Sequence, residues 1–216
     1  MPLHGIRRAA ASASLTPPSF VGVAYGQFNA SGDVTLTYPV GTATGDLLIC
    51  AMAHDIAGAM SVTMTGWTEI GTGSTLSIAT RLFWRISAGG SSVVINTNKD
   101  ARGGAMLCSW TDASSTLGAT SQTTDSDTSP TPSGVTGAVS ALCISVIMQD
   151  NYPTLSAGPS GYTIRGNQQL GTGAGSGVAI AFAEKELLSI ATETPGNWTS
   201  DAAEVSVLHT VRIDPA

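Results

Sequence analysis

Asp46-Leu47-Leu48-Ile49-Cys50-Ala51-Met52-Ala53-His54-Asp55 and Ala141-Leu142-Cys143-Ile144-Ser145-Val146-Ile147-Met148-Gln149-Asp150 are two versions of one segment, an apolar run closed by a polar residue and an aspartate. The same spacing aligns Gly66-Trp67-Thr68 with Gly161-Tyr162-Thr163, and Gly71 with Gly166. After a small insertion, residues 105–111 correspond to residues 206–212, a match that sets His209 at the position of Cys108. Apolar runs this short, bounded by turn residues, read as central strands buried on both faces. The repeat therefore predicts an all-β chain: a jelly-roll-like β-sandwich built from two internally repeated strand units.

The intervening sequence supports that reading. Val34, Leu36 and Tyr38 alternate with Asp33, Thr35 and Thr37, as in a strand with one wet face. Ile78, Leu82, Trp84 and Ile86 share one side of another strand, opposite Arg81, Phe83 and Arg85, and Ala88-Gly89-Gly90 then breaks it in hairpin fashion. Residues 1–19, with Arg7-Arg8 and Thr16-Pro17-Pro18, read as an extended N-terminal arm, because proline disfavours helix in itself and in the residue before it. The arm is expected to lie on its own sandwich or on a neighbouring subunit, with Arg7, Arg8, Pro17 and Pro18 as contact residues. Residues 20–216 form the sandwich: repeat unit one at about 45–112, a Ser/Thr/Pro/Gly connector at 113–138, and repeat unit two at about 139–214. The stretch 184–190 has a short helix-like pattern where the first unit has its Ala-Gly-Gly break.

Composition narrows the function classes. A chain of 216 residues can bury about 70% of its unfolded surface and needs no staple. Only 11% of residues are charged, so the surface must be built from hydroxyls, small residues and backbone, which suits contact with other proteins. A net charge of -6 argues against nucleic-acid binding, which depends on neutralising phosphates. No apolar core of a signal peptide follows Arg7-Arg8, and no run is long enough to span a membrane, so neither signal peptide nor membrane association is expected. Cys50, Cys108 and Cys143 lie in apolar runs and read as small buried hydrophobes.

The remaining motifs are weak as chemistry. In 171–177, Ser176 stands where a dinucleotide fingerprint needs glycine, and no lysine follows as a phosphate loop requires. His4, His54 and His209 have no metal-ligand spacing. Asp125-Ser126-Asp127 with Asp112 lacks the glycine and distal glutamate of an EF-hand. Asp55 and Asp150 end matching strands and are expected to cap local turns. Glu69, Glu184, Glu186, Glu193 and Glu204 include no pair marked for glycosidic chemistry. Neither catalytic residues nor a cofactor or metal site is assigned. Trp67 and Tyr162, each after a glycine, are the residues a sugar-binding module would use for stacking, although aromatics at a repeated position usually pack at a core or its rim.

Gly45-Asp46-Leu47-Leu48, Gly66-Trp67-Thr68 and Phe83-Trp84-Arg85, in that order after Pro18-Ser19-Phe20-Val21-Gly22, resemble a group of accessory structural proteins of tailed bacteriophages. In these a G-D-L-L strand, a G-W-T turn and a later F-W-K/R strand recur. The likeness covers residues 18–112, and the second half joins it only through the repeat, with Tyr162 for the tryptophan and no F-W-R strand. It implies a non-enzymatic virion protein made in the host cytoplasm, a homo-oligomer whose partners are other capsid or tail subunits. Capsid decoration is the leading expectation. A tail, collar or baseplate accessory, or a receptor module binding a host surface glycan through Trp67 and Tyr162, is the alternative.

Overall fold

The computed structural model describes residues 15–56, 58–75, 77–172 and 176–216. Among these residues it is all-β, with no helix. The first half holds β1 (Ser19–Gln27), β2 (Asp33–Thr37), β3 (Leu47–His54), β4 (Val62–Thr63), β5 (Thr68–Ser74), β6 (Ala79–Ile86), β7 (Ser92–Thr97) and β8 (Gly103–Thr111). The second holds β9 (Thr120–Asp125), β10 (Val135–Thr136), β11 (Leu142–Gln149), β12 (Leu155–Ala157), β13 (Thr163–Gly171), β14 (Gly177–Glu186), β15 (Thr192–Glu193), β16 (Thr199–Ser200) and β17 (Ser206–Ile213). The segment expected to be a plain connector thus contributes β9 and β10, whose polar Ser/Thr alternation hides a strand with little apolar signal. The stretch with helical pattern continues β14 to Glu186 and then turns into loop.

One five-stranded sheet runs β1-β8-β3-β6-β5, and the other runs β13-β14-β11-β17-β9. Taken from its opposite edge, the second is β9-β17-β11-β14-β13, the same succession with each strand replaced by its counterpart. The small sheets follow suit, β2-β7-β4 in the first half and β10-β15 with β12-β16 in the second, where two short strands do the work of β7. Each half is therefore a roll of jelly-roll order, its large sheet faced by its small one. Local hydrogen bonds recur as well: Trp67 N–H donates to Met64 C=O as Tyr162 N–H does to Pro159 C=O, and Asp55 N–H donates to Arg102 C=O as Asp150 N–H does to Val205 C=O. Gly66 and Gly161 both adopt left-handed backbone, at φ 78° and 79°, which accounts for glycine before each aromatic.

The two large sheets pack face to face, giving four layers. Leu47, Ile49, Ala51 and Ala53 of β3 point into the seam between the halves, where they meet Leu142, Ile144, Val146 and Met148 of β11. Leu48, Cys50 and Met52 point the other way, into the core of the first roll with Leu36, Val93 and Ile95. Ile147, Leu208 and Trp198 do the same in the second roll, the Trp198 Nε1–H donating to Ser145 Oγ at 3.0 Å. β3 and β11 are buried at every position and apolar at nearly all of them, because each face meets a core. Each buried Leu, Ile, Val or Met contributes about 1.5–3 kcal/mol relative to leaving it in water.

The seam is reciprocal. Both β5 and β13 carry a register shift ending at a glycine, Gly71 and Gly166. A Cβ on Gly71 would meet His209 Cε1 at 2.7 Å, and a Cβ on Gly166 would meet Met106 Sδ at 2.7 Å. Each half thus lays a long side chain of its last strand over the bulge glycine of the other. Met106 pairs with Ala51 and His209 with Val146, so His209 occupies the station of Met106, and Cys108, opposite Ile49, corresponds to Val211, opposite Ile144. The expected match of His209 with Cys108 is two residues out, because the insertion before β17 is longer than the sequence repeat shows. Met106 and His209 look unrelated until the register places them.

Candidate functional site

Trp67 and Tyr162 occupy matching stations at the starts of β5 and β13, on separate rolls, and both are half-buried. Trp67 packs against the first core and Tyr162 against the second, in line with rim packing. A cation lies by each ring: Arg85 Cζ is 5.7 Å from the Trp67 centroid, and Lys185 Nζ is 5.7 Å from that of Tyr162. Arg85 and Lys185 are themselves counterparts, pairing with Leu48 and Cys143. The surroundings then diverge. In the second roll Tyr162 Oη donates to Glu193 Oε1 at 3.0 Å and Lys185 Nζ pairs with the same oxygen at 2.8 Å, closing the site on itself. Burial and the adjacent Cys143 hold the Tyr162 phenol protonated, well above its ordinary range. In the first roll, Trp67 and Arg85 edge an open groove of about 290 Å³ with Thr63, Thr65, Ser92 and Asn96. Trp67 Nε1 is buried there without a partner, and Arg85 has no ion pair among the described residues.

At the ends of β3 and β11, Asp55 and Asp150 meet across the seam instead of capping their own turns. Asp150 is buried, with Oδ1 unpartnered among the described residues, and its carboxyl adjoins that of Asp55. Burial first, then the Asp150 contact and charge, push the Asp55 carboxyl up to about 7, against a smaller opposing pull from Arg102. Beside the two carboxyls His54 Nε2 lies 2.9 Å from Asp100 Oδ1, and Asp100 pairs with Arg102 at 2.7 Å. Arg102 and His54 hold the Asp100 carboxyl far below the usual range, while burial lowers His54. This chain of contacts ties the 98–102 loop to the end of β3.

A third polar joint closes the opposite end. Trp110 Nε1–H, fully buried in the first roll, donates to Glu184 Oε2 at 2.7 Å, and Glu184 pairs with Arg165 at 2.6 Å, both from the second roll. The Arg165 guanidinium lies over the Phe20 ring at 5.0 Å. Pro17 and Pro18 line a groove over this joint together with Arg165 and Glu184. Arg7 and Arg8 lie outside the described residues, as does His4.

The other candidate residues take structural places. The Asp125 carboxylate accepts from Ser126 and Thr131 backbone N–H groups at 2.7 and 3.0 Å, capping its loop. Cys50, Cys108 and Cys143 are unpaired and buried, their thiols pushed up by burial, Cys143 to about 11. Among the described residues no group of three or more His, Cys, Asp or Glu is placed to hold a metal ion. The Asp55–Asp150 pair and the Trp110–Glu184–Arg165 joint escape sequence reading because their members come from different halves. The paired aspartates at matching positions are the one signal that could have suggested the first. Comparison with family models, curated proteins and solved structures finds no match.

Proposed function

We propose that this chain is a non-enzymatic bacteriophage virion protein that decorates the capsid as an oligomer. The observation that carries the reading is a set of apolar side chains presented to solvent on loops at the same end of each roll. Leu188 is 82% exposed, Ile190 76% and Val139 56%, on two loops tied together by Ser140 N–H to Leu187 C=O and Gly137 N–H to Ala191 C=O. Val40, 97% exposed, lies on the corresponding longer loop of the first roll. Among the described residues the cores of both rolls are filled without these side chains, and apolar groups exposed together mark a surface that other proteins cover. A weakly charged, hydroxyl-rich surface and the G-D-L-L, G-W-T and F-W-R resemblance support the same reading.

The test is incorporation into particles. Immunogold labelling and mass spectrometry of purified virions should find the protein over the head in many copies, and a Leu188→Ser/Ile190→Ser double variant that keeps its thermal stability should be depleted from them. Labelling confined to the tail would move the protein to an accessory role there. Absence from particles would refute a virion role altogether.

A further inference from the structure

The two rolls hold the same aromatic–cation station in two states, and the difference points to a ligand. In the second roll Glu193 neutralises Lys185 and takes the Tyr162 hydroxyl proton into a hydrogen bond, so nothing at the station remains unsatisfied. The register places Val93 where Glu193 stands, since Tyr38 N–H bonds Ser91 C=O as Gly137 N–H bonds Ala191 C=O. Val93 is buried in the first core. The Arg85 guanidinium is therefore left at the edge of an open groove with no carboxylate among the described residues, beside an indole and exposed hydroxyls of Thr63, Thr65 and Ser92.

We infer that this groove binds a sugar bearing a carboxylate, a uronic-acid residue of an acidic glycan, whose carboxylate takes on Arg85 the place that Glu193 takes on Lys185. Arginine suits this role, since its planar fork accepts a carboxylate through two parallel N–H···O bonds while the same plane stacks on an aromatic ring. The indole offers an apolar surface to the pyranose ring, and the hydroxyls and Asn96 amide offer partners to the sugar's own hydroxyls. Tyr162 is excluded from such a role, because its hydroxyl and its cation are both committed within the chain. The inference stands apart from the virion reading, since glycan binding and particle incorporation are measured separately.

The experiment is a titration of the full chain, labelled with 15N at its tryptophan indoles, with a galacturonate oligosaccharide and with the neutral galactose oligosaccharide of equal length. The Trp67 Nε1–H resonance should shift and saturate with the acidic oligosaccharide alone. Arg85→Gln should weaken binding about tenfold or more, the loss of a charge-assisted hydrogen bond pair, and Lys185→Gln should leave the affinity unchanged. Circular dichroism would confirm that both variants are folded. Equal binding of the neutral oligosaccharide, undiminished binding by Arg85→Gln, no response to the acidic one at millimolar concentration, or preferential binding of a hexaglutamate peptide would each overturn the inference.

Discussion

Replacing Asp55 by Asn should make this protein more stable at pH 8 and should flatten the decline of its stability between pH 4 and pH 8. Asp55 titrates at about 7 in the folded chain, against about 3.9 when unfolded. Its pKa is thus raised by folding, so its favourable contribution is complete below pH 4 and is lost as pH rises through 7. At about 1.4 kcal/mol per pKa unit the full loss would be about 4 kcal/mol, but Asp55 is only partly buried, and solvent screening reduces this to about 1–2 kcal/mol. Asn cannot ionise and can donate an N–H to Asp150, so the variant avoids the loss. For a chain of this length that gain raises Tm by about 2–8 °C at pH 8, with little difference at pH 4. The groups facing Asp55, namely Asp150, Arg102 and Glu204, are common to both proteins, as are His54 and Asp100 beside them. The difference between the two curves therefore isolates the one carboxyl. Thermal unfolding followed by circular dichroism at half-unit pH steps is the assay, and parallel Tm–pH curves for the two proteins would refute the reasoning.

The seam gives three further expectations. His209 is lowered by burial to about 4, below its unfolded value, so its contribution is present above pH 6.5 and is lost as pH falls; His209→Met, which copies Met106, should remove up to about 3 kcal/mol of that acid loss, read from urea unfolding at pH 7 and pH 4.5. Gly71→Ala should cost about 2–3 kcal/mol and Gly166→Ala about 1 kcal/mol in the same assay, because the added methyl meets a rigid imidazole in the first case and a flexible thioether in the second. Equal losses would show that the seam yields elsewhere. Arg165→Met should cost about 3 kcal/mol by stranding the buried Glu184 carboxylate. Adding Glu184→Gln, which keeps an acceptor for Trp110 Nε1–H, should restore most of this, and failure to do so would mean that lost packing over Phe20 dominates.

Elements whose apolar pattern stands on its own chain were legible in the sequence. The continuous runs of β3 and β11 announce strands with a core on either side, the glycines before Trp67 and Tyr162 announce matching turns, and the three cysteines read as buried. β9 was not legible, because an edge strand of Ser, Thr and Gln owes its place to pairing with β17 and not to burial of its own side chains. The 184–190 stretch carries a helix-like pattern because Glu, Lys and Leu favour helix locally, whereas pairing with β11 and β13 holds residues up to Glu186 extended.

What the sequence by itself determined is the all-β character and the recurrence of one strand unit, since both follow from local periodicity, which needs no partner to be read. Only the tertiary structure decided that the two rolls pack through their large sheets, that Gly71 and Gly166 each receive the other half's side chain, and that Asp55 meets Asp150. It also decided that Trp67 and Tyr162, alike in sequence, stand in different states. The physical reason is common to all of these. Each depends on which atoms lie within contact distance across the seam or between neighbouring strands, and a one-dimensional pattern records which face a residue shows but not what stands opposite it.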